Sequence, residues 1–317
     1  MAEPLIQLPE EPRVRRPALG YAMVWTAALL FAVNGTVAKV VLESAGLSTV
    51  ELTQARSTGA FLGFALVLAV TRPRSFRVGR RELLSLSVFG VTGVAFVQWL
   101  YFVAIDRLPI GIALLLQYLA PLLVALWARY VLREPVRRRI WAALALALAG
   151  LSLIVQVWAG GLALDGVGVA AALGAAGAYA LYVLMAERAV ARRDPISVAC
   201  YGFLFAAAFW FAVQPLWEFP LGRLGAETSL LGNLAGTSLP AWLLVAFVVV
   251  GGTIASFGLI VTALRHVPAT RVAIVAMLEP VAATAVAWVW LGETLGPEQL
   301  AGGAIVLAAI VLAQTSR

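Results

Sequence analysis

The chain has 317 residues, of which 62% are hydrophobic and only 12% are charged. A soluble domain carries about twice that share of charged residues, so this composition excludes both an ordinary water-soluble protein and a disordered chain. A single cysteine also excludes a small scaffold held by internal disulfides.

The first 17 residues are polar and lead directly into a full-length apolar segment, which favours a retained cytoplasmic tail over a cleaved signal peptide. Apolar segments of the length that a bilayer requires then recur along the chain. They predict an all-α polytopic membrane protein with ten transmembrane helices. The predicted spans are 18–42, 48–70, 82–105, 109–132, 138–157, 166–187, 195–215, 241–264, 269–291 and 297–313. The glycine-rich connection at 216–240 is predicted to be a loop.

The basic residues predict the orientation of these spans. With the N-terminus placed in the cytoplasm, all of the 23 Lys and Arg residues except Lys39, Arg56, Arg107 and Arg223 fall on the inner side or in the tails. Such asymmetry is the usual signature of cytoplasmic loops, so the net charge of +7 reflects topology and gives no support to nucleic-acid binding. We expect a multi-pass protein of the plasma (inner) membrane with both termini cytoplasmic.

An internal repeat relates the two halves of the chain. The positions that match at a constant spacing of 159 residues are Pro109 and Pro268, Leu119-Ala120-Pro121 and Leu278-Glu279-Pro280, Leu132-Arg133-Glu134 and Leu291-Gly292-Glu293, and Gly93 and Gly252. A weaker match, at a spacing of 148, pairs Asn34 with Tyr182 and Phe31 with Tyr179. Each copy holds five predicted spans, and because five is odd the second copy must enter the membrane from the opposite side. Inverted repeats are a transporter architecture, with the substrate site near the midplane between the halves.

The repeat divides the chain into a cytoplasmic tail (1–17), a first five-helix repeat (18–157), a linker (158–165) and a second five-helix repeat (166–317). The segments 109–150 and 268–312 resemble the paired EamA domains of the drug/metabolite transporter superfamily. The residues that carry this resemblance are Pro121 and Glu134 in the first copy, and Leu278-Glu279-Pro280, Gly292-Glu293 and Gly302 in the second. The first copy departs from the second because Ala120 stands in place of the acid at Glu279.

The resemblance implies a ten-helix bundle of two inverted five-helix halves around a central cavity. It also implies a secondary transporter of small metabolites, with alternating access and export of amino acids or related amphipathic compounds as the expected activity. Cationic drug efflux or carriage of another metabolite is the alternative within this class. A non-transporting membrane scaffold is the alternative from another class.

Two charged side chains fall inside predicted spans, where an unpaired charge is costly. Glu279 lies near the middle of its span, where it could couple transport to protons, could pair with a cationic substrate, or could be a permanently protonated structural group. Arg56 lies about eight residues into the second span. It could bind the anionic group of a substrate, or it could pair with Glu51 or a helix end within the protein.

Uncharged polar groups at membrane depth form a second set of candidates. They could line a substrate cavity, or they could hydrogen-bond between helices. This set comprises Asn34, Gln98, Tyr101, Gln117, Tyr118, Tyr179, Tyr182 and Ser256. Pro121 and Pro280 occupy equivalent mid-span positions, where each removes one helical hydrogen bond, and they are candidate hinges or simple bends.

The sequence contains no P-loop, no His-Glu-x-x-His motif and no Gly-x-Ser-x-Gly elbow. We therefore expect no enzymatic activity, no cofactor and no metal site. The expected partners are a small-molecule substrate and the lipid bilayer, with protons as a candidate coupling ion and no nucleic acid.

Overall fold

The computed structural model describes residues 16–108, 110–133, 135–156, 158, 165–292 and 296–315. Most of these residues are helical. Among them, eight helices are long and apolar enough to cross a membrane. Most of the tail at 1–17 and of the linker at 158–165 lies outside the described residues, as do Glu134 and Glu293 of the repeated motif.

The first half of the described chain contains seven α-helices, and a π-helical turn at Phe89–Ala95 joins the third to the fourth. Their bounds are α1 Pro17–Ser44, α2 Thr49–Thr71, α3 Arg80–Val88, α4 Phe96–Arg107, α5 Ile110–Gln117, α6 Ala120–Tyr130 and α7 Arg138–Val155.

The second half repeats this order, with π-helical turns at Val250–Ala255 and Ala287–Leu291. Its helices are α8 Gly166–Arg192, α9 Pro195–Val213, α10 Ala241–Val249, α11 Ser256–Ala263, α12 Ala269–Ala276, α13 Leu278–Val286 and α14 Pro297–Thr315.

The long connection before α10 is more ordered than a plain loop. It contains short 3₁₀ turns and a two-stranded antiparallel sheet, formed by β1 (Glu227–Ser229) and β2 (Ser238–Pro240). The connection is fixed to both halves of the chain, because Arg223 donates a hydrogen bond to the Gly46 carbonyl and the Leu230 carbonyl accepts one from the Trp290 indole.

The two predicted spans that fall outside the set of eight are α7 and α14. The apolar part of α7 begins after Arg138 and Arg139, and the apolar helix in α14 is shorter than the others. These two helices pack extensively against each other. The count of ten spans therefore stays a prediction.

Helix packing follows the repeat. Helix α2 packs on α9, and α7 packs on α14. Helix α1 packs on α11 and α13, while its counterpart α8 packs on α4 and α6. Exchanging the two halves therefore leaves this set of neighbours unchanged. The backbone after α6 also matches the backbone after the π-helical turn that follows α13. The equivalent residues there, Arg133 and Gly292, both have positive φ, at 55° and 74°.

The two long π-helical turns occupy equivalent places and carry the equivalent glycines Gly93 and Gly252. A Cβ on Gly252 would lie 1.8 Å from the side-chain oxygen of Asn34, and a Cβ on Gly93 would lie 3.1 Å from the Cα of Tyr182. Because Asn34 and Tyr182 are themselves equivalent, the same close contact between a helix and a glycine of a π-helical turn occurs in both halves. These glycines let α1 and α8 reach the centre of the bundle.

We predict that Gly252→Ala destabilises the protein by about 1–3 kcal/mol, since the added methyl group overlaps the Asn34 amide. The measurement is the thermal unfolding midpoint of detergent-purified protein. Gly177→Ala is the matched control, because nothing lies within 4 Å of a Cβ at that helical position. Asn34→Ala should restore stability to the Gly252→Ala variant. Equal midpoints for Gly252→Ala and Gly177→Ala would contradict the close approach.

Candidate functional site

A cavity of about 100 Å³ lies among helices from both halves and has room for several water molecules. Its lining combines five aromatic rings and three apolar or small residues with charged and amide side chains. The residues that line it are Phe31, Asn34, Gly35, Arg56, Val97, Gln98, Tyr101, Leu114, Gln117, Tyr118, Tyr179, Phe257 and Glu279. Eight of the ten residues predicted as substrate or coupling groups are therefore brought together.

Two broken helices reach this cavity. The first break separates α5 from α6 at Tyr118 and Leu119, and the second separates α12 from α13 at Met277. Each break lies just before a proline, Pro121 or Pro280, which has no N–H to donate to the carbonyl four residues earlier. Such discontinuities are tolerated at membrane depth where the backbone lines a cavity or is buried in protein. Both prolines are buried, and neither is among the residues that line the cavity.

The two breaks are joined by a side-chain hydrogen bond. The Tyr118 hydroxyl donates to Oε2 of Glu279 over 2.7 Å, and it lies 3.4 Å from the Ala276 carbonyl. Ala276 is the residue whose carbonyl cannot accept a hydrogen bond from Pro280. The tyrosine therefore orients the carboxylate and contacts the interrupted backbone at the same time.

Arg56 enters the cavity from α2. It is only 6% exposed, its Nε donates to the Thr253 hydroxyl over 3.1 Å, and its guanidinium lies 5.8 Å from the centre of the Phe102 ring. Neither terminal nitrogen, Nη1 or Nη2, donates to another of the described residues. The two nitrogens that bind a carboxylate as a fork are therefore available within the cavity.

The opposite charges of Arg56 and Glu279 line the same cavity without forming an ion pair. Within the described part of the chain, no carboxylate oxygen lies within 4.0 Å of a nitrogen of Arg56, and no Lys or Arg nitrogen lies that close to Glu279. The alternative pairing of Arg56 with Glu51 is wrong. Glu51 instead accepts a hydrogen bond from the Ser48 N–H and lies 3.8 Å from Arg223.

Several amide atoms on the cavity wall also lack a hydrogen-bond partner among the described residues. Asn34 Oδ1, Gln117 Oε1 and both polar atoms of Gln98 are buried without a hydrogen bond to any described residue. A buried polar atom without a partner costs about 1–3 kcal/mol, so this wall favours a bound polar molecule or water.

Two of the predicted residues lie outside the cavity lining. Ser256 is fully buried and donates to the Gly251 carbonyl of its own helix, so the interpretation of this residue as a cavity group does not agree with its position. Tyr182 packs behind the wall, where its ring stacks on Phe89 and on Tyr179. Its position at an aromatic core contact follows from the close packing of α8 against the π-helical turn.

The sequence analysis did not single out several other residues of the site. Gly35, Val97 and Leu114 line the cavity but are indistinguishable in sequence from the apolar residues that surround them. Thr253, which supports Arg56, was also not selected. A hydroxyl in a membrane helix commonly bonds back to its own backbone, so its presence alone carries little information.

Among the residues that the structure describes, no group of three or more His, Cys, Asp or Glu side chains could hold a metal ion. His266 lies beyond the end of α11, where Nδ1 accepts a hydrogen bond from the Arg16 N–H over 3.4 Å. Partial burial, with the nearby charges of Arg265 and Arg16, lowers the pKa of His266 below its usual range. The imidazole does not line the cavity. Of the described carboxyl groups, that of Glu279 is among the cavity-lining residues.

Comparison with known proteins gives consistent matches. The profile of the EamA-like transporter family matches residues 18–156 and 166–315. The threonine/homoserine exporter RhtA of Escherichia coli (strain K12) is 32% identical over 256 residues, which cover 78% of this chain and 77% of that protein. A probable terminal-alkyne amino-acid exporter of Streptantibioticus cattleyicolor is 30% identical and covers 84% of each chain. A protein of known crystal structure, only 19% identical, has the same fold with a TM-score of 0.75 over 93% of this chain and 96% of its own.

We predict that a thiol at position 35 is accessible from water, whereas one at position 256 is not. Gly35 lines the cavity and nothing lies within 4 Å of a Cβ there, while Ser256 is 0% exposed. The experiment compares the rates at which a charged thiol reagent labels Gly35→Cys and Ser256→Cys, each in a Cys200→Ser background that removes the native buried thiol. Comparable labelling of both positions would contradict this description of the cavity.

Proposed function

This chain belongs to the EamA-like transporter family, and we propose that it exports small α-amino acids in exchange for protons. As a member of this family it is a multi-pass membrane transporter of small molecules, and its eight apolar helices agree with that class. The substrate, the coupling ion and the direction of transport are the parts that we propose.

The observation that carries the proposal is the pair of opposite, unpaired charges on one small cavity. An α-amino acid bears a carboxylate and an ammonium group on the same carbon. Arg56 offers two free guanidinium nitrogens to a carboxylate, and Glu279 offers a carboxylate to an ammonium group. A zwitterion would therefore satisfy both cavity charges at once, which neither an anion nor a cation alone can do.

The lining favours a small polar side chain on that amino acid. The partnerless amide atoms of Asn34, Gln98 and Gln117 could bond a substrate hydroxyl, and the volume of the cavity suits a small metabolite. The names of two relatives, a threonine/homoserine exporter and a probable terminal-alkyne amino-acid exporter, support amino acids as the substrate class.

Proton exchange follows from competition for one carboxylate. Glu279 can hold a proton or can pair with the substrate ammonium group, but it cannot do both. If protons reach it from outside the cell, their binding displaces the substrate, and their release inside prepares the site for the next molecule. An inward proton gradient would then drive the amino acid outward.

The architecture proposed for this cycle is two inverted five-helix repeats, 18–157 and 166–317, with ten spans and both termini in the cytoplasm of a cell bounded by the plasma membrane. The exchange-symmetric packing of the helices and the one-sided distribution of arginines support it. The breaks before Pro121 and Pro280 are the proposed hinges, because the missing hydrogen bonds make each helix easier to bend there.

Cationic drug efflux is less well supported. The tyrosine rings and Glu279 suit a cation, but a buried Arg56 on the same cavity repels one. No specific observation favours another metabolite class or a non-transporting scaffold.

We predict that Glu279→Gln abolishes accumulation of threonine driven by a pH gradient, because the side chain no longer exchanges a proton. The assay uses purified protein in proteoliposomes with an imposed pH gradient. Glu298→Gln is the control, since Glu298 is exposed and bonds Gln156 away from the cavity. Unchanged uptake and pH dependence in Glu279→Gln would refute coupling through this residue.

We also predict that Arg56→Gln discriminates between a zwitterion and a cation. The KM for threonine should rise by roughly tenfold or more, given about 1.5–3 kcal/mol for a hydrogen bond to a charged group. The KM for threonine amide, which lacks the carboxylate, should change little. Arg107→Gln serves as the control because Arg107 pairs with Asp165 outside the cavity. Equal effects of Arg56→Gln on both compounds would count against a carboxylate site and favour a general cation carrier.

A further inference from the structure

The hydroxyl of Thr253 occupies a position that controls the direction of the Arg56 guanidinium. Thr253 is 0% exposed, and its Oγ1 lies 2.6 Å from the Val248 carbonyl and 3.1 Å from Nε of Arg56. A hydroxyl has one proton, which it donates to the carbonyl, so its lone pairs face the arginine. This fixed acceptor takes Nε and leaves Nη1 and Nη2 for the cavity.

The π-helical turn is what places this hydroxyl. Val248 is five residues before Thr253, so the hydrogen bond spans the wider π turn and aims the side chain across the bundle toward α2. The Phe102 ring, 5.8 Å from the guanidinium carbon, covers another side of the group. The orientation of Arg56 is thus held from α4 and from the π-helical turn of the second half.

The equivalent place in the other half shows that the fold does not require this polar contact. Helices α2 and α9 begin after the N-cap residues Ser48 and Asp194, and the residues eight positions later are Arg56 and Gly202. The equivalent of Thr253 in the first π-helical turn, at the spacing of 159, is Val94.

Gly202 and Val94 also lie close to each other. A Cβ on Gly202 would lie 3.4 Å from a methyl group of Val94. A neighbouring contact also occurs in both halves. A Cβ on Gly59 would contact Val249, and between the equivalent positions a Cβ on Gly90 would contact Phe205. The packing of α2 and of α9 against a π-helical turn therefore occurs in both halves. The arginine and its hydroxyl partner occur in one of them alone.

We propose that Thr253 is a positioning residue that sets the carboxylate specificity of this transporter by holding Arg56 with its two terminal nitrogens toward the substrate. The inference rests on the proposed function, in which Arg56 binds the carboxylate of an amino acid. Because Arg56 belongs to the first half and Thr253 to the second, carboxylate binding depends on how the halves pack against each other.

The test compares Thr253→Val and Thr253→Ala, which remove the hydroxyl, with Thr253→Ser, which keeps it. Transport of threonine and of threonine amide is measured in proteoliposomes. Both hydroxyl-free variants should raise the KM for threonine by about tenfold while leaving the maximal rate and the KM for the amide close to wild type. Thr253→Ser keeps the hydroxyl, so its KM for threonine should be close to that of the wild type. Thr262→Val is the matched control, because the Thr262 hydroxyl also donates to a helix carbonyl, that of Gly258, and among the described residues it bonds no arginine side chain.

A double-mutant cycle separates positioning from a merely structural role. In an Arg56→Gln background, Thr253→Val should cause no further rise in KM, because its effect acts through the arginine. An additive effect there, an equal loss for threonine and its amide, or failure of serine to restore the KM would overturn the inference while leaving the proposed function intact. Wild-type protein that transports neither compound would instead refute the proposed function, and the inference with it.

Discussion

The structure depends on the cost of holding polar and charged groups in an apolar membrane. Among the residues that line the cavity, Glu279 receives one hydrogen bond from Tyr118 and Arg56 gives one to Thr253, and neither charge is neutralised by the other. A site of this kind is incomplete until something else enters it. The charges of Arg56 and Glu279, which do not pair with each other, therefore provide affinity for a ligand that carries both charges.

Local departures from regular helix make the cavity possible. The π-helical turns with Gly93 and Gly252 admit α8 and α1 to the centre, and the breaks before Pro121 and Pro280 lie beside two residues that line the same cavity, Tyr118 and Glu279. A regular α-helix satisfies its own backbone hydrogen bonds, whereas a broken helix at membrane depth needs neighbouring groups or a cavity to satisfy them. The irregular segments thus bring polar side chains to a cavity at the centre of the helix bundle.

The two halves share the same helix contacts, but the polar and charged side chains at equivalent positions differ. Asn34 and Tyr182 take equivalent places against equivalent glycines, yet Asn34 lines the cavity and Tyr182 lies in an aromatic contact behind it. Glu279 corresponds to Ala120, and the pair of Arg56 and Thr253 corresponds to Gly202 and Val94. The helices of the two halves therefore pack in similar ways, whereas Arg56 and Glu279 each occur in one copy alone.

The sequence by itself determined the membrane class, the helical content, the repeat and the two intramembrane charges, because apolar length, residue spacing and charge at membrane depth are properties of the chain alone. It also identified most of the polar cavity residues as a set. Only the tertiary structure decided which of them meet, since Tyr118 contacts Glu279 across 161 residues and Arg56 contacts Thr253 across 197. The physical reason is that in a membrane both the lipid-facing and the buried sides of a helix are apolar, so hydrophobic periodicity does not reveal which face turns inward.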